Sequence, residues 1–129
     1  MNKFYLWIFV LLAFTFTAPL ADPIDKIAML VRQGNVHELS GFFAENVEVS
    51  VLDEENVYSK AQAELILDKF FSQNRPQSVK ILHKVNSNAN YQFGVLQVNT
   101  GKSFYRVAFT LKGSGNKLAM IEFRVEAVK

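Results

Sequence analysis

The chain has 129 residues, half of them hydrophobic, a formal net charge of +2 and no cysteine. The missing cysteine excludes disulfides, lipid attachment through a leader thiol and thiolate chemistry. The absence of any run of adjacent Lys or Arg argues against a nucleic-acid partner.

Met1–Ala21 comes first: Lys3, an unbroken apolar run from Phe4 to Phe14, then Thr17-Ala18-Pro19 and Ala21. A cation, a greasy centre and a small-residue end are the order of a secretory leader. The apolar centre falls short of the roughly 20 residues that cross a bilayer. Residues 1–21 are therefore expected to be a cleaved signal peptide, and 22–129 a single exported domain, periplasmic or secreted. Membrane contact would come only from an uncleaved leader.

Asp22 can cap a helix, Pro23 suits its first position and Gly34 its end. Ile24, Ile27, Ala28 and Val31 recur at helical spacing between them. Asn35, with Glu38 three residues on, predicts a second helix over Val36–Phe43 that turns Leu39, Phe42 and Phe43 inward. Val47–Val51 alternates as a half-buried strand, Asp53–Asn56 is a turn, and Val57-Tyr58 returns. Ser59 and Gln62 form a capping box for a third helix reaching about Ser72, with Ala63, Ile66, Leu67, Phe70 and Phe71 as its apolar stripe. Four strand-like runs then follow, Val79–Val85, Tyr91–Val98, Ser103–Lys112 and Lys117–Val128. The loops between them are short, so they form an antiparallel meander. Helices early and strands late give an α+β fold: a curved, mostly antiparallel sheet of about six strands wrapped around three helices of the N-terminal half.

Charge is unevenly placed along this order. Residues 22–68 carry ten acids and three bases; residues 69–129 carry two acids and ten bases. Opposite halves of this kind suit contact with each other, within one molecule or between two, ahead of an anionic partner.

This order resembles the cone-shaped fold of the nuclear-transport-factor-two-like superfamily, which includes ketosteroid isomerase and polyketide cyclases. Gly34-Asn35, Phe42-Phe43, Val47-Glu48-Val49, Tyr58-Ser59-Lys60-Ala61-Gln62-Ala63-Glu64 and Phe70-Phe71 are similar to a family of small exported bacterial proteins of unknown function. The resemblance spans residues 22–129. It implies a cone, and a homodimer formed through the outer sheet face, but no activity.

Strict alternation sorts the strands into faces. Ile81, His83, Tyr105, Phe109 and Phe123 fall inward and, with Phe71 from the third helix, line the candidate pocket for a small apolar ligand. Leu82, Lys84, Phe104, Arg106, Leu118, Met120, Glu122 and Arg124 fall outward. Phe104, Arg106, Met120, Glu122 and Arg124 combine apolar and charged groups as a homodimer face would. Isomerase chemistry on such a cone needs a carboxylate held inside it, and none falls inward on these strands. His83 is the alternative base; a lone histidine among Val and Ile is more often a core or rim residue with one polar partner. No carboxylate stands at ligand spacing from His37 or His83, so no metal or other cofactor is expected. The functional expectation is an exported, non-catalytic ligand-binding or protein-interaction module, with a His83 isomerase or cyclase as the alternative.

Overall fold

The computed structural model describes residues 22–114 and 117–129. The signal-peptide reading of Met1–Ala21 lies outside them, as does part of the last hairpin loop. Among the described residues no helix is long and apolar enough to cross a membrane.

The first helix, α1 (Pro23–Gln33), starts where an Asp22 carboxylate oxygen accepts the Ile24 N–H at 2.8 Å. It ends on Gly34, whose φ of 68° is a left-handed conformation that glycine adopts without strain. Asn35 caps the next segment through the Glu38 N–H. That segment is shorter than the sequence predicts: α2 (Val36–Leu39) passes through a single 3₁₀ turn, Ser40–Phe42, and Phe43 already opens a strand. Phe43 is still buried, because it pairs with Met120 across the sheet.

Strand β1 (Phe43–Val51) turns through Leu52-Asp53 into β2 (Glu54–Ser59). The complete capping box of Ser59 and Gln62 then opens α3 (Lys60–Gln73). The meander follows as β3 (Ser78–Asn88), β4 (Tyr91–Asn99), β5 (Phe104–Ser114) and β6 (Lys117–Ala127). The six strands form one sheet in the order β2-β1-β6-β5-β4-β3, antiparallel except where β1 runs parallel to β6.

One face of this sheet, here called concave, packs on the helices. Val47, Val49, Leu96, Val107, Phe109, Leu111, Met120, Phe123 and Val125 are wholly buried there against Ile24, Ile27, Leu30, Leu39 and Leu67. Gly94 lets the layers close: a Cβ at that position would lie 2.5 Å from the Phe109 ring and 3.1 Å from Ile24.

Two bulges break the strict alternation. In β3, Ile81 opposes Leu96 and His83 opposes Val95, leaving Leu82 as the extra residue. In β6, Met120 opposes Leu111 and Glu122 opposes Thr110, leaving Ile121 extra. One inserted residue moves every later side chain to the other face. Lys84 therefore turns to the concave face and His83 to the convex one, while Leu118 and Met120 join the core.

Candidate functional site

The concave face holds most of the expected pocket residues, but as packing. Phe109 and Phe123 are 0% exposed and Phe71 is buried; Ile81 is half-buried against the same cluster. Tyr105 meets the Phe70 ring edge-on at 5.2 Å, and its hydroxyl donates to Asn74 Oδ1 at 3.1 Å. That contact ties the end of α3 to β5. His83 is not with them. The bulge at Leu82 leaves it exposed on the convex side, opposite Val95, so it cannot serve as a base inside the cone.

Polar groups occupy one end of the concave side. Lys84 Nζ lies 2.7 Å from Asp25 and 3.7 Å from Asp22, and Asn86 donates to Asp22 at 2.6 Å. The Asp25 hydrogen bond holds the Lys84 ammonium above its ordinary pKa. Gln92, which unlike them is buried, has no partner for its Oε1 among the described residues.

A second polar group joins α2 to α3. Ser40 donates to Glu64 Oε1 at 2.5 Å and His37 Nδ1 lies 3.2 Å from the same oxygen. The Ser40 hydroxyl, opposed by desolvation and helped by His37, holds the Glu64 carboxyl below its ordinary range. Spacing along the chain could not show this pair, because 27 residues separate its members. The serine hydrogen bonds to the carboxylate and not to the imidazole, so the trio lacks the relay that activates a nucleophile.

The convex face is where apolar and charged groups are exposed together. Phe104 is 45% exposed, Arg106 is exposed, and Glu122 and Arg124 are partly so. Met120, expected among them, is fully buried. The bulge puts half-buried Ile121 beside Glu122 in its stead. Continued alternation along β4 supplies three positions absent from the expected face, Tyr91, Phe93 and Val95. With exposed Val85 and Tyr91, half-buried Phe93 forms an apolar stripe across β3 and β4, over Val95, which is itself buried. His83, Arg106 and Lys112 lie on the β3–β5 side of this face, and Glu48, Glu55, Glu122 and Glu126 on the β2–β1–β6 side, with Arg124 among them. Glu48 bonds to the Glu55 side chain, and with desolvation and the charges of Glu55 and Glu122 its carboxyl is held above the ordinary range.

Two depressions flank the end of α3. One of about 170 Å³ is lined by Gln33, Gly34, Phe71, Ser72, Arg75 and Pro76. The other, about 600 Å³ and open, lies between residues 72–77 and the β4–β5 loop, and Arg75 and Lys102 are its charged groups.

A family model described as "Domain of unknown function (DUF4783)" matches residues 24–126. No curated protein matches the sequence. Among solved structures, a DUF4783 family protein from Bacteroides uniformis is 18% identical with a TM-score of 0.78, over 84% of this chain and 99% of its own. One from Bacteroides fragilis is 20% identical with a TM-score of 0.73, over 79% and 95%. A domain of unknown function with a cystatin-like fold from Nostoc punctiforme is 4% identical with a TM-score of 0.60, over 80% and 71%.

Proposed function

The chain belongs to the DUF4783 family, a family of unknown function with a cone-like α+β fold, and from that premise we propose that it is an exported, non-catalytic protein-interaction module that pairs with a second copy through its convex sheet face. The observation that carries this reading is the stripe of Tyr91, Phe93 and Val85 on a face whose flanks have opposite charge. Two copies related by a two-fold axis would set the basic flank of each over the acidic flank of the other. Apolar centres with charged margins are the anatomy of such contacts. The reading as a small-ligand carrier has less support, because the rings that would line its pocket are in contact with the core.

Native mass spectrometry of the protein recovered from the cell envelope tests both parts. The expected species is a pair of chains, each beginning at Asp22. Replacing Phe93 and Arg106 together by Glu is expected to leave single chains of the same fold. A wild-type chain that stays single at every concentration defeats the pairing, and a chain that retains Met1–Ala21 defeats the cleaved leader.

A further inference from the structure

Among the described residues the sheet has two open edges, β2 and β3, and they are not alike. Bulges at Leu82 and again between Val85 and Asn88 interrupt β3, a device that twists an edge away from foreign strands. Strand β2 pairs with β1 in unbroken register from Glu54 to Ser59. Its Val57 N–H is satisfied by the neighbouring Asn56 side chain at 3.1 Å, which marks that amide as pointing away from the sheet. By the two-residue alternation of an antiparallel ladder, Glu55 shares this outward orientation.

The two sides of this edge differ in chemistry. On the concave side lies a shallow apolar groove of about 180 Å³, lined by Tyr58, Gln62, Leu65 and Ile66, with Leu65 70% exposed. On the convex side stand Glu55 and its neighbour Glu48, with exposed Val57 beside them. Among the described residues, neither these two nor Asp53 and Glu54 form an ion pair. The hydrogen bond with Glu55, desolvation and the charges of Glu55 and Glu122 raise the Glu48 carboxyl, and Arg124 offsets them only in part. A second copy of β2 would bring the same carboxylates into opposition, so charge excludes it as the occupant.

We propose that the edge of β2 binds an extended peptide as a seventh strand, its basic side chains against Glu55 and Glu48 and its alternate apolar side chains in the Tyr58–Leu65–Ile66 groove. Main-chain hydrogen bonds to Glu55, and to Val57 once the peptide displaces the Asn56 side chain, give the pairing, and the period-two pattern gives the selectivity. The peptide would use Glu55 and Glu48, which also belong to the acidic flank of the convex face, so it competes with a second copy for these carboxylates.

The probe is a seven-residue peptide alternating lysine and valine, with a control of the same composition written as a lysine block followed by a valine block. Binding to residues 22–129 is read by fluorescence anisotropy, and hydrogen exchange by NMR. The alternating peptide is expected to bind and to slow exchange at the Glu55 and Val57 amides. Glu55→Lys and Leu65→Ser, both at exposed positions, are each expected to weaken it by about tenfold or more. Equal binding of the block peptide, protection on β3 in place of β2, or no binding at millimolar peptide overturns the proposal.

Discussion

The concave and convex faces of the sheet are built from the same six strands, yet different physics decides what each residue does. On the concave face a side chain is fixed by volume. Gly94 is small because Phe109 and Ile24 fill the space where a side chain would be. On the convex face Val85, Phe93 and Phe104 are held only by their neighbours along the sheet, and charge decides what approaches them. The first face makes the fold and the second leaves a surface for a partner.

Adjacent residues of β6 test this contrast most severely. Met120→Ala empties a wholly buried site and should cost about 2–5 kcal/mol of stability. Ile121→Ala, one residue away on the bulge and half-buried, should cost less, about 1 kcal/mol. Urea unfolding of the two variants decides the matter. Unbroken alternation in β6 would reverse their order.

That pair also shows what the sequence could and could not reveal. Caps were legible because they are local chemistry: Asp22, Asn35, Ser59 with Gln62, and Gly34 each do what their residue type favours. The meander was legible because its loops are short and turn-rich. Face assignment was not, because it adds a parity over many residues and a single bulge inverts it. A trace of each bulge does lie in the chain. Four adjacent apolar residues, 118–121, leave room for a shift of phase in β6 before 123 and 125, and Ile81-Leu82 doubles an apolar position in β3. Those phase shifts place Met120 inside and His83 outside. The Glu64–His37–Ser40 group left no such trace, since only the packing of α2 on α3 brings it together.

Two glutamates, one on the helix layer and one on the convex face, sharpen the comparison through pH. The Ser40 hydroxyl, with His37, keeps Glu64 ionised below its ordinary value of 4.5. A depressed carboxyl stabilises the fold above its unfolded pKa, and that contribution is lost as pH falls through the folded pKa. Glu64→Gln should therefore melt below wild type at pH 7, and the gap should close as acid protonates the wild-type carboxylate. A gap of constant size from neutral to acid pH would assign Glu64 a role independent of its charge.

Glu48 should give the opposite sign with the smaller amplitude, because Arg124 offsets part of the repulsion. Its carboxyl is raised, first by the hydrogen bond with Glu55 and then by desolvation and neighbouring charge. A raised carboxyl favours the folded state only while it is protonated, and this advantage fades as pH rises through the folded pKa. At pH 7 the native protein thus carries a repulsion that Glu48→Gln removes. The variant should melt slightly above wild type at neutral pH, and the two should converge below about pH 4, where wild-type Glu48 holds its proton. A basic strand seated on β2 would offset the same charge without any mutation. Thermal melts of wild type and Glu48→Gln with the lysine–valine peptide present should therefore lie closer together than melts without it. A difference that the peptide leaves unchanged would mean that the charge of Glu48 does not reach the edge.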